Sequence, residues 1–119
     1  MRNVSLFSRS DLPYALEMVS DEFFAAWKEG RSVTDIFGRL LQSGGPISFC
    51  FIDGNHTFDF VKRDYENTDQ FLESGGFLLF DDSHKGSMFE GVRKTAQKAY
   101  NSGKYRLVME NPNHLFVKR

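Results

Sequence analysis

Two stretches decide the fold: Phe49-Cys-Phe-Ile-Asp-Gly-Asn-His56 and Gly75-Gly-Phe-Leu-Leu-Phe-Asp-Asp82. Each is a short apolar run closed by acid at its C-terminal end. Runs of this kind read as buried parallel strands, and the helix-length segment between them as a crossover. Open α/β sheets bind ligands beyond the carboxyl ends of their strands. A parallel pairing would therefore gather Asp53, His56, Asp81 and Asp82 at one sheet edge.

Working outward, Val4-Ser-Leu-Phe7 reads as a strand, followed by the polar turn Ser8-Arg-Ser-Asp11. Leu12, Ala15, Leu16, Val19, Phe23, Phe24 and Trp27 recur at helical spacing, with Gly30 as the stop. Ser32 or Thr34 would cap a second helix bearing Ile36, Phe37, Leu40 and Leu41, ended by Gly44-Gly45-Pro46. Ile47 to Ile52 is the next strand. Thr57 would cap a helix carrying Phe58, Val61, Tyr65 and Phe71. Gly75 and Gly76 break it ahead of a strand at Phe77 to Phe80. A helix from about Met88 to Tyr100 follows, then strands at Tyr105 to Met109 and Leu115 to Lys118. The Asn111-Pro-Asn113 turn between these makes them a hairpin. The resulting order, β-α(α)-β-α-β-α-β-β, predicts an α/β fold: a mostly parallel sheet, helices on both faces, and a C-terminal antiparallel hairpin.

The bulk numbers bound the function. With 119 residues the expectation is a single domain over 1–119. A net charge of −1 gives no field for nucleic acid or an anionic membrane, and no apolar run approaches a membrane span. The single cysteine, Cys50, cannot pair internally, which suits a reducing, cytoplasmic setting. The 13 Phe residues imply heavy aromatic packing or an exposed interface.

The chain resembles the C-terminal two-thirds of a class I S-adenosylmethionine-dependent methyltransferase. The likeness is to the small-molecule O-methyltransferase group, through Ile52-Asp-Gly-Asn-His56, then Asp64, then Gly75-Gly76 and Phe80-Asp-Asp82. The first two strands and the glycine-rich cofactor loop of that fold have no counterpart in the sequence, so the resemblance implies a truncated form. The segment from Leu12 to Gly45 is longer than the family pattern. What the resemblance implies is O-methyl transfer from S-adenosylmethionine to a small-molecule hydroxyl, assisted by Mg²⁺. Asp53, Asp81 and Asp82 would hold the metal, since a hard cation prefers oxygen ligands. His56 would act as the base. Ser10, Asp11 and Asp53 would contact the cofactor, and His84 the substrate.

Each residue also has a plainer reading. Asp53, Ser10 and the Asp81–Asp82 pair could be helix caps or loop starts, His56 a structural histidine, and His84 a solvated one. Asp64 falls inside the helix and reads as structural. A non-catalytic remnant of the fold is the alternative, a binding module that forms a homo-oligomer through an exposed sheet edge or aromatic face. Gly54-Asn55-His56 also occurs in metal-dependent phosphoesterases, but their other motifs are missing here.

Overall fold

The computed structural model describes residues 13–83 and 87–119. The chain forms two compact units, divided between Gly44 and Gly45. The expected strand at Val4–Phe7 lies outside the described residues. Among those described, no helix is long and apolar enough to cross a membrane.

In the first unit, helix α1 spans Ser20–Glu29, with Asp21 and Glu22 in its first turn opposite the helix dipole. The helix expected from Leu12 starts later for a physical reason. The backbone of residues 13–15 is committed elsewhere: Arg39 Nη2 donates to Pro13 O (2.8 Å) and Ile36 N to Ala15 O (2.8 Å). Arg39 also lies over the Tyr14 ring.

The second expected helix is a β-hairpin. Strands β1 (Ser32–Thr34) and β2 (Leu40–Gln42) pair antiparallel, Val33 opposite Leu41. Asp35 makes the turn: its Oδ1 accepts the Phe37 and Arg39 amides at 3.0 and 2.8 Å, and its Oδ2 takes Nε and Nη2 of Arg39 at 3.0 and 2.7 Å. Gly38 supplies the positive φ of 80° that the turn needs. These contacts outweigh the helical spacing of Ile36, Phe37, Leu40 and Leu41.

The second unit carries β3 (Ile47–Ile52), α2 (Phe58–Phe71), β4 (Leu72–Phe80), α3 (Glu90–Asn101), β5 (Tyr105–Met109) and β6 (Leu115–Lys118). Its sheet order is β3-β4-β6-β5. β3 and β4 run parallel as expected, with Phe49 opposite Phe77 and Ile52 opposite Phe80, and the terminal hairpin is antiparallel. β6 also runs antiparallel to β4, so the described sheet is mixed, not mostly parallel. The strand expected from Phe77 already begins at Leu72, across an irregular register between Ile47 and Phe49. Thr57 occupies the N-cap of α2 without a side-chain cap; instead its amide donates to Asn55 Oδ1 at 2.9 Å.

Alternation along the strands sorts the residues onto two faces. Ile52, Leu78, Phe80 and Phe116 point to one face and are buried against Val61 and Tyr65 of α2 and Val92, Ala96 and Ala99 of α3. Small residues on α3 permit its close approach. Cys50 faces the same way, 3.3 Å from Thr68 Oγ1, and burial pushes its thiol pKa up. Both helices of this unit thus share one face, a departure from helices on both. Phe49, Phe51 and Phe77 alternate to the opposite face and are 54%, 47% and 41% exposed.

Asp69 of α2 ties the hairpin strands to the helix. Tyr105 OH donates to Oδ1 at 2.6 Å, Lys104 Nζ to Oδ2 at 2.9 Å, and Lys118 Nζ to the Asp69 carbonyl at 2.6 Å. Burial works against the Asp69 charge, but the bonds from Tyr105 and Lys104 prevail and hold its pKa below the ordinary value. A depressed carboxylate contributes stability above its unfolded pKa, about 4, and that contribution is lost as pH falls through the folded value. Asp69→Ala should destabilise the protein by about 1–3 kcal/mol at pH 7, because the buried Tyr105 hydroxyl loses its acceptor. Urea melts from pH 7 to pH 3 check this. The wild type should lose the difference on acidification, and the variant should show a flatter profile.

Candidate active site

The parallel pairing brings the two acidic strand ends together. The amide of Asp81 donates to Ile52 O at 3.0 Å, so the chain leaves β4 directly beside the exit of β3. Asp53 follows Ile52 directly, at the end of β3. The neighbouring Asp81 carboxyl, through hydrogen bonding, raises the Asp53 pKa; some loss of solvent and the negative charges of Asp81 and Asp82 add to the rise, while His56 opposes it.

Adjacent strand residues point to opposite sides, so Asp81 and Asp82 would not both face one site on a regular strand. The chain has turned by Asp82, whose φ of 55° lies in the left-handed region. This is uncommon for a residue other than glycine and costs about 1 kcal/mol. The turn places Asp82 Oδ2 3.0 Å from His56 Nε2, within hydrogen-bond distance. One ligand atom each from Asp53, His56 and Asp82 falls within 4.8 Å of the others.

The loop between β3 and α2 holds His56 in place. Asn55 caps the Thr57 amide, and the imidazole stacks on Phe89 with centroids 3.8 Å apart and planes 15° from parallel. The start of α3 packs on this loop at Gly91. A Cβ there would sit 2.4 Å from Phe58 N and 2.8 Å from His56 O. Only a residue without a side chain fits against that backbone.

Of the residues singled out from sequence, Asp53, His56, Asp81 and Asp82 converge. Ser10, Asp11 and His84 lie outside the described residues. Asp64 belongs to α2, with its carboxylate toward Gly54, 3.5 Å from where a Cβ would stand. Sequence reasoning missed Phe89 as the stacking partner of His56. It also missed Asn113, whose Nδ2 donates to Asp81 Oδ1 at 3.4 Å, and the pairing of Ser83 with His114. Buried Ser83 donates to Phe80 O and accepts the His114 amide at 2.7 Å. The one available signal was the polar Asn111–His114 turn, which a β4–β6 antiparallel pairing carries to the same edge.

A family model described as a methyltransferase domain matches residues 6–83, more than half of the chain. No curated protein matches the sequence.

Gly91→Ala should separate packing from propensity. Alanine gains about 1 kcal/mol over glycine in a helix, yet overpacking against fixed backbone costs about 1–3 kcal/mol. Net destabilisation in urea is the expected result, with a displaced His56 ring resonance as the Phe89 stack opens. Unchanged stability together with an unchanged ring resonance would show that the loop gives way freely.

Proposed function

The chain belongs to the methyltransferase-domain family, and on that premise we propose that it transfers a methyl group to the hydroxyl of a small molecule at the Asp53–His56–Asp82 edge. Family membership makes S-adenosylmethionine the donor. The cofactor, when bound, supplies an activated methyl group on a sulfonium, so the protein's share is to position the two reactants and to help deprotonate the acceptor. The acidic edge suits a positively charged donor, and Asp53 is the described residue proposed to face it.

The observation that carries this reading is the convergence of two carboxylates and an imidazole, Asp53, Asp82 and His56, at the ends of two parallel strands, with Asp81 adjoining. The donor chemistry fits a hard divalent cation such as Mg²⁺: Asp53, Asp81 and Asp82 offer oxygen, and the negative charges gathered at this edge are what a cation would balance. A metal held there would lower the pKa of an acceptor hydroxyl. His56, oriented by Asp82 and Phe89, is positioned to take the acceptor proton.

A second reading, a non-catalytic module of the same fold, is favoured by one observation. Phe49, Phe51 and Phe77 present an apolar face that neither α2 nor α3 covers, and β3 has one strand neighbour among the described residues. On this reading the face meets a second copy of the chain. Sedimentation at rising concentration tests it: self-association abolished by Phe51→Lys supports it, and a persistent monomer ends it.

Calorimetric titration with S-adenosylhomocysteine, with and without Mg²⁺, tests the leading reading. Binding at micromolar strength is expected. Asp53→Asn and Asp82→Asn should each weaken Mg²⁺ about 10–100-fold. His56→Gln should leave cofactor affinity intact while lowering turnover about 10²–10⁴-fold. Folded protein that does not bind S-adenosylhomocysteine, with or without Mg²⁺, would overturn it.

A further inference from the structure

A groove outside the acidic cluster lies between α3 and the β5–β6 turn. Ser83, Arg93, Gln97, Glu110 and His114 line a cavity of about 290 Å³. A second cavity of about 150 Å³ shares Gln97, Glu110 and His114 and adds Ala96, Tyr100 and Leu107. Buried Ser83 pins the floor by its bonds to Phe80 O and the His114 amide, and the His114 ring stacks on Phe116 of the core. Except for Ser83, these residues lie beyond the segment matched by the methyltransferase-domain family.

Charge is the informative feature. α3 carries three cations on its first two turns and a half. Lys94 pairs with Glu90 at 3.4 Å and Lys98 with Glu66 at 3.2 Å. Arg93, the one that faces the groove, takes part in no ion pair among the described residues, and neither does Glu110 across from it. An arginine and a glutamate share one cavity wall without meeting. A ligand that satisfies both carries a carboxylate for the guanidinium, which binds it through two parallel bonds, and an ammonium for the carboxylate. The adjoining Tyr100 and Leu107 give such a ligand room for an apolar or aromatic body.

We infer that this groove binds a zwitterionic, amino-acid-like small molecule, with its carboxylate on Arg93 and its ammonium on Glu110. Ser83 directly follows Asp82, so the groove opens one residue from the acidic edge. Binding in the groove does not depend on the methyl-transfer reading.

The test is an NMR titration of the full chain, without Mg²⁺ or cofactor, using L-tyrosine and two analogues that each lack one charge, tyramine and 3-(4-hydroxyphenyl)propionate. L-Tyrosine should bind saturably, shift the Gln97 and His114 amides, and bind about tenfold or more tighter than either analogue. Arg93→Gln should reduce tyrosine to the affinity of tyramine and leave tyramine unchanged. Glu110→Gln should reduce tyrosine to the level of the propionate and leave the propionate unchanged. Arg93 and Glu110 are exposed, and the same spectra report that the variants fold. No saturable tyrosine binding, equal affinity for all three compounds, or variants that bind tyrosine like the wild type would each overturn the inference. Discriminating tyrosine binding in a protein that never binds S-adenosylhomocysteine would keep the groove and remove the methyl-transfer reading. Cofactor binding without discrimination would do the reverse.

Discussion

The parallel pairing of β3 with β4 is the constraint on which the rest depends. Register places Ile52 opposite Phe80, and the Asp81 amide closes the ladder onto Ile52 O. Asp53 and Asp81 then leave the sheet side by side. In an antiparallel pair of six-residue strands the same two residues would stand about 20 Å apart, at opposite ends. The antiparallel β6 completes the edge from the other direction. Because it runs against β4, its beginning lies at the end of β4, and Phe80 N donates to His114 O at 3.0 Å. The mixed topology therefore delivers acids from two strand ends and polar groups from a hairpin turn to one rim.

That rim stores unfavourable energy. Crowded carboxylates raise the Asp53 pKa, and Asp82 sits in the left-handed region. Both are held by what lies below. Ile52, Phe80 and Phe116 are buried immediately beneath the rim, and Phe80 and Phe116 meet edge to face with centroids 6.1 Å apart. The stacking of His56 on Phe89 and the close seat at Gly91 fix the β3–α2 loop. Local strain over an over-determined core is the arrangement expected where a surface is shaped for a ligand and not for its own stability.

What the sequence discloses depends on how local the deciding contacts are. β3, β4 and the C-terminal hairpin are legible because apolar alternation and turn residues act within a few positions. The convergence of Asp53, His56 and Asp82 is legible because strand ends of a parallel pair must meet. The Ser32–Gln42 hairpin is not. Val33, Ile36, Phe37, Leu40 and Leu41 satisfy helical spacing as well as a hairpin, and the choice falls to Asp35, whose side chain takes two backbone amides and a guanidinium. The late start of α1 is decided by partners more than twenty residues away. Phe89 and Asn113 meet their partners across about thirty residues, and no pattern in the chain announces them.

The acidic edge and the neighbouring groove differ in charge logic, and the difference bears on what each can select. The whole chain is nearly neutral, at −1, so no long-range field draws a ligand in. Recognition acts within a Debye length, about 8 Å at physiological salt. At the edge the fixed charges share one sign, and whatever settles there must be positive in sum: a cation, a sulfonium, or both. In the groove Arg93 and Glu110 cancel, so a simple ion gains little from either when the opposite charge stands nearby. A molecule with both charges at the right separation gains from each. Selection there becomes a matter of geometry instead of net charge, while Ser83, one residue on from Asp82 and bonded to Phe80 O, keeps the two regions on a common rigid floor.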